Sequence, residues 1–254
     1  MIILLSPAKS LDLDTPFTDE PSVPRFERLA AQIARAAAGL SSADLQRIMH
    51  ISEKLGDLNA ERYARFFETE TRPAIRTFAG DVYRGFDAAS IDEDALEYAQ
   101  DHVRILSGLY GMLRPLDRMR PYRLEMGTSW SPEEGDAGKL TAHWGDRIAK
   151  ELRKQLREEE SGILLNLASN EYYDAVRGQL PKSLRIVEPD FRVRTAKGLQ
   201  FQSFAAKVAR GTMARWVCDE RIEDVDALSG FDRDGWTFSD EGSPENRPTF
   251  VRES

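Results

Sequence analysis

The chain has 254 residues, 41% of them hydrophobic and 31% charged, with a formal net charge of -8. That length and composition suit one large domain or two small ones, and no apolar run nears the ~20 residues that a membrane-spanning helix requires. The apolar start IILL has no basic residues before it and no cleavage site behind it, and Cys218 is the single cysteine; a secretory signal and an internal disulfide are excluded, and a reducing cytoplasmic setting is expected.

In chain order, MIILLS predicts a strand that exits at Pro7 and sets Lys9 at a strand end. PRFERLAAQIARAAAGL predicts a helix with Pro24 in its first turn. Ser41 or Ser42 caps the next helix, ADLQRIMHISEKL, where Leu45, Ile48, Met49 and Ile51 recur at helical spacing, and NAERYARFF predicts a third. FAGDVYRGF, residues 78–86, reads as a short strand or tight turn. DEDALEYAQDHVRILS reads as one helix with acids in its first turn and Arg104 near its end, as the macrodipole favours.

Further on, HWGDRIAKELRKQLREEES predicts a helix and SGILLNLAS a buried strand, whose exit presents Asn166, Ser169, Asn170 and Glu171 in a loop. LRIVEPDF, FRVRT and LQFQSF are strand candidates, the last two joined through Ala196-Lys197-Gly198 as a hairpin. The helix SFAAKVARGTMARWV closes the ordered core. Strands with helices both clustered and interleaved imply an α+β fold, a single domain over 1–254 with a mixed sheet and surrounding helices. Residues from about 219 form an acidic segment, because 218–254 hold eleven acids against four bases.

Positive charge gathers in two places. Residues 104–123 carry five arginines against Asp117, and residues 181–217 carry eight lysines and arginines against Glu188 and Asp190. Two readings fit the first segment. A helix ending in Ser-Gly-Leu-Tyr-Gly resembles a helix-hairpin-helix, whose glycines, Gly108 and Gly111, would let backbone N–H groups approach phosphates while Arg114 and Arg123 add charge. Alternatively Gly108 merely ends a helix and the arginines decorate a solvated loop. On the helix at 204–217, Lys207, Arg210 and Arg215 share one face around Gly211 and Ala214, where a phosphate or another backbone could come close; ordinary amphipathic helices share the pattern.

The histidines His50, His102 and His143 are scattered without cysteine partners, and no phosphate-binding or dinucleotide loop occurs, so no metal site or cofactor is expected. Lys9, Glu125, Asn166 and Ser169 combine a potential amine nucleophile with a carboxylate, an amide and a hydroxyl. They are the candidate catalytic residues should the protein be an enzyme.

SPAKSLD, GDVYRGF, LSGLYGMLRPLDRMRPYRLEMG, NLASNEY and AKVARGTMARW, spread from residue 6 to about 216, together resemble the YaaA family of bacterial peroxide stress resistance proteins. The resemblance implies a cytoplasmic protein of the response to hydrogen peroxide that limits damage from unincorporated iron. It also implies an α+β fold of the family's own, with a helix-hairpin-helix element and a cationic cleft that binds DNA. Carried onto this chain, the implied cleft residues are Lys9, Arg114, Tyr122, Arg123, Lys207, Arg210 and Arg215, with Gly108 and Gly111 in the turn. The expected partner is therefore DNA, duplex or distorted and weakly sequence-selective, with no membrane and no obligate protein partner. The alternative is an enzyme acting on damaged nucleic acid or a phosphate-bearing small molecule with Lys9 at the site. Direct iron sequestration is the poorest fit, for want of convergent ligands. The acidic segment is expected to fold over the cleft and compete with DNA.

Overall fold

β1 (Ile2–Leu5) is buried along its whole length and leads through Ser6 and Pro7 into a two-residue strand, β2 (Ser10–Leu11). The structure is a computed structural model that describes residues 1–133, 138–240 and 243–253. α1 (Glu27–Ala38) buries one stripe, Ala30, Ile33, Ala34 and Ala37. α2 (Ser42–Met49) starts on a capping box, with the Ser41 hydroxyl accepting from the Asp44 N–H and the Asp44 carboxylate accepting from the Ser41 N–H. The helix expected to continue to residue 55 stops at His50, which adopts φ 52°, and α3 (Glu53–Ala64) starts afresh behind Ser52. Gly56 explains the fold-back, since a Cβ there would lie 2.7 Å from the Gln46 side chain. The bare backbone lets α3 lie against α2, and that packing prevails over local continuity.

β3 (Arg72–Pro73) and α4 (Ala74–Thr77) precede β4 (Phe78–Ala79), which pairs antiparallel with β2. The segment expected as a strand or tight turn then continues as a helix, α5 (Asp81–Phe86). α6 (Glu93–His102) is shorter than expected, because Val103–Ser107 leaves it as β5, which lies parallel to β1 with Leu4 opposite Arg104. Arg104 is buried in that strand and donates to the carbonyls of Gln100, Asp101 and Val103 at the end of α6. The macrodipole argument for a cation there holds although the residue is not helical. Burial lowers its pKa to about 10.

β6 (Gly111–Leu113) turns back antiparallel on β5 with Ser107 opposite Gly111. The Ser-Gly-Leu-Tyr-Gly segment is thus the turn of a β-hairpin, and the helix-hairpin-helix expected at 104–123 is not formed. Two short helices joined by a tight turn do occur at α2 and α3, but residues 42–64 hold four acids against three bases and make no cationic patch. β7 (Arg118–Met119) pairs with β3. The expected helix at 143–161 is divided at Gly145, φ 54°, into α7 (Leu140–Trp144) and α8 (Arg147–Glu158). β8 (Ile163–Asn166) forms as expected and runs parallel to β1, and its exit is a helix, α9 (Asn170–Arg177), where a loop was expected. β9 (Arg185–Val187) completes a five-stranded sheet in the order β6-β5-β1-β8-β9, parallel except for β6.

β10 (Asp190–Thr195) and β11 (Gly198–Gln200) form the expected hairpin, and α10 (Ser203–Glu220) follows. The ordered core does not close there. β12 (Trp236–Ser239) and β13 (Thr249–Glu253) join a second sheet in the order β11-β10-β13-β12, with Phe250 and Trp236 in the core. The acidic segment is therefore woven into the fold; apolar side chains on its strands outweigh the charge that composition alone reports. α10 packs against α5 where Gly85 faces the Val208 carbonyl and Gly211 faces Val82, so the small residues on α10 receive another backbone. The whole is α+β with mixed sheets.

Candidate functional site

The chain passes from β1 to β5 on one side and later to β8 on the other, so the strand order reverses at β1. In open sheets with parallel strands, crevices for ligands form outside the carboxyl ends at such a reversal. A cleft of about 320 Å³ lies there. Its floor is Ser6–Ser10 behind β1 and Leu167 and Ser169 behind β8; Asp81 and Tyr83 of α5, Glu171 of α9, and Lys207 and Arg210 of α10 form the walls.

Short hydrogen bonds fix the floor. The Ser6 hydroxyl accepts from the Ser169 N–H at 2.8 Å and lies 3.2 Å from the Ser169 hydroxyl, while the buried Tyr83 hydroxyl donates to the Ser6 carbonyl at 3.0 Å. Asn166 is buried at the end of β8, where its amide donates to Glu188 at 2.9 Å and its oxygen accepts from the Ala168 N–H at 3.1 Å. It shapes the turn into α9.

Charge is distributed unequally over the walls. Lys9 Nζ lies 3.1 Å from Glu125 Oε1, the same oxygen that accepts from Arg123 Nε at 3.2 Å. Glu125 Oε2 is buried and has no hydrogen-bond partner among the described residues. Lys207 Nζ is 3.7 Å from Asp81. Arg210 is half-buried and makes no hydrogen bond or ion pair among the described residues. Burial lowers its pKa and the Asp190 charge opposes the shift. An unpartnered guanidinium beside two ammonium groups and serine hydroxyls can take an anion, above all a phosphate with its several acceptor oxygens.

Of the residues singled out in the sequence, the cleft gathers Lys9, Ser169, Glu171, Lys207 and Arg210, and Lys9 ties in Glu125 and Arg123. Others lie elsewhere. Tyr122 is buried, its hydroxyl 2.7 Å from that of Ser107, and burial pushes its pKa up. Gly108 is enclosed, with the Leu124 carbonyl carbon 3.0 Å from where a Cβ would sit, and its own carbonyl accepts from the Trp144 indole at 2.8 Å. Gly111 adopts φ 70° and a Cβ there would lie 2.7 Å from the Trp144 ring, so both glycines serve tight packing. Arg114 pairs with Asp117 at 3.0 Å in a separate hollow with Glu151 and Glu158, and does not reach the cleft. Arg215 clamps the end of α5, donating to the carbonyls of Phe86, Asp87 and Ser90 and to Asp219. Arg118 binds Glu27 and Arg120 the Thr69 carbonyl. Sequence reasoning missed Ser6, Tyr83 and Asp81. Ser6 carried a signal in its place at the strand exit, whereas the other two depended on recognising α5.

These features define a class: an α+β protein with a cation-lined crevice at the carboxyl ends of its parallel strands. The chain belongs to the family of the peroxide stress protein YaaA, whose model matches residues 1–242. A UPF0246 protein of Rhizorhabdus wittichii is 52% identical over 253 residues, 99% of each chain. Others from Alteromonas mediterranea and Ralstonia nicotianae are 45% identical over 263 residues and 44% over 259, covering 98% and 100% of those proteins and 99% and 100% of this chain. Among the described residues no helix is long and apolar enough to cross a membrane, and no group of three or more His, Cys, Asp or Glu side chains could hold a metal ion.

Proposed function

We propose that this protein acts in the peroxide stress response by binding DNA, with the cleft taking backbone phosphates and limiting oxidative damage linked to unincorporated iron. Family membership supports the peroxide role. The observation that carries the DNA reading is Arg210, half-buried and unpartnered among the described residues, with Lys9 and Lys207 lining the same crevice. Such contacts hold a backbone without reading bases. They also displace the cations condensed on DNA, and loosely bound iron is among the ions a cationic protein would expel.

With about three phosphates engaged, the logarithm of affinity falls with the logarithm of salt at a slope near -2.7, roughly 40-fold between 50 and 200 mM. Fluorescence anisotropy with a labelled duplex measures this. Replacing Lys9, Lys207 and Arg210 together by Met should abolish most of the binding and flatten the slope. Salt-independent affinity, or affinity indifferent to the triple substitution, overturns the reading.

The enzyme reading, on damaged DNA or a phosphate-bearing small molecule, is favoured by one feature, the buried Glu125 Oε2, which has no hydrogen-bond partner among the described residues while Oε1 pairs with Lys9. Against it, Lys9 is 63% exposed and ion-paired, the opposite of the desolvated amine that Schiff-base chemistry requires. Borohydride trapping on abasic DNA decides the lyase form: no Lys9-dependent adduct removes it.

A further inference from the structure

Two phenylalanines, Phe201 just before α10 and Phe204 in its first turn, have no place in the core. Phe201 is 53% exposed and Phe204 56%. Both rings carry a cation. The Arg192 guanidinium lies 5.9 Å from the Phe201 ring centre, and Arg84 lies 5.9 Å from that of Phe204. Arg84 is exposed and has no ion-pair partner among the described residues. On the helix, Phe204, Lys207 and Arg210 follow one another at steps of three, so the exposed ring heads the ridge whose next two members line the cleft.

We infer that Phe201 and Phe204 form a stacking platform for unpaired bases, which makes the preferred nucleic acid of the cleft a single strand or a locally opened duplex. The inference rests on the DNA reading above and names the form of DNA it takes. The chemistry is that of strand-binding grooves in general, where cations follow the phosphates and open aromatic faces receive bases of any sequence. A base has a flat π-face that can lie on a phenyl ring, and a guanidinium beside the ring adds a second planar surface. In an intact duplex those faces are already stacked on neighbouring bases and are not available to the rings. Charge complementarity decides the occupant of these two rings, because an apolar protein partner would have to desolvate Arg84, Lys207 and Arg210 without neutralising them.

The test compares a fluorescein-labelled oligothymidine of about twelve nucleotides with a duplex of equal length, titrated with the full chain. Phe201→Ala with Phe204→Ala should lower single-strand affinity roughly tenfold or more and leave duplex affinity within about twofold, while Phe204→Trp keeps or raises single-strand affinity. Both rings are open to solvent, so melting temperature should not change, and its measurement identifies any variant that misfolds. Unchanged single-strand affinity in the alanine pair, with salt-sensitive duplex binding intact, overturns the platform and leaves the phosphate cleft standing. Equal losses on both DNAs overturn it as well. Binding to neither DNA by the unaltered protein overturns both readings. Self-association that the alanine pair abolishes would assign the rings to a second copy of this chain and overturn the platform.

Discussion

Gly211→Ala is the substitution in which the closeness of α5 and α10 can be weighed most directly. A methyl group built there would sit 2.8 Å from the Phe86 amide nitrogen and the Val82 carbonyl carbon, and nearer still to the Val82 carbonyl oxygen. Carbon atoms rest at about 3.5–4.0 Å, so the two helices must part by about 1 Å or more. Overpacking of this kind costs about 1–3 kcal/mol, and more when backbone must move. Alanine's better helix propensity offsets about 1 kcal/mol of it. A net loss near 2 kcal/mol corresponds to a fall in melting temperature of about 4–8 °C for a chain of this size. Differential scanning calorimetry reads this, with Gly178→Ala as the control, because nothing lies within 4 Å of a Cβ at that position. The same displacement shifts Lys207 and Arg210 relative to Lys9 and should weaken the proposed DNA binding below the melting transition. A melting temperature that stays level or rises would show that the contact is not as close as described and refute the reasoning.

Arg215→Met removes the bonds to the Phe86, Asp87 and Ser90 carbonyls and to Asp219; denaturant titration should show a loss of about 1.5–3 kcal/mol, while DNA affinity is kept. Truncation after Cys218 deletes β12 and β13, removing Phe250 and Trp236 from the core, so the product should be unfolded by circular dichroism; a folded product with tightened DNA binding would restore the competing-tail idea. The Arg76 guanidinium holds the Asp19 carboxyl below its ordinary value of 3.8. Its stabilising contribution is therefore whole above that pH and is lost as pH falls through the folded pKa, and Asp19→Asn should flatten the acid limb of a stability profile. Cys218 is fully buried and its thiol pKa is raised by burial, so a thiol reagent should find nothing in the native protein and one group in denaturant.

The central strands β1 and β8 were legible because each is a short continuous apolar run, the pattern of a strand covered on both faces. Val103–Ser107 is apolar at Val103, Ile105 and Leu106 but interrupted by Arg104, and it follows a good helix without a break; only its pairing with Ile3–Leu5, a hundred residues away, makes it a strand. The Ser-Gly-Leu-Tyr-Gly turn is equally open to a helical or a β-hairpin, and the choice follows from that pairing. In the C-terminal segment, Trp236, Phe250 and Val251 carried the strand signal, masked by the eleven acids among residues 218–254. Within the cleft, Lys9 was legible from its place at a strand exit, and Lys207 and Arg210 from helical spacing. Arg215 shares that spacing and could not be separated from them, since its acceptors at 86–90 arrive from another element.

That last pair shows what a count of charges leaves out. Residues 104–123 looked like the wall of a polyanion site because five arginines stand there, yet each is committed: Arg104 to helix-end carbonyls, Arg114 to Asp117, Arg118 to Glu27, Arg120 to the Thr69 carbonyl and Arg123 to Glu125. A cation already satisfied by a carboxylate or carbonyl must break that bond before it can serve a phosphate, and the exchange gains little. The attraction available to a ligand comes instead from cations left with few acceptors, here Arg210 and Arg84, and from Lys207, held only at 3.7 Å by Asp81. These three lie on α5 and α10, the two helices that Gly85 and Gly211 bring into contact. The paired glycines and these weakly committed cations thus belong to one device, in which close helix packing brings positive charge together on α5 and α10, with Lys207 and Arg210 lining the strand-end crevice.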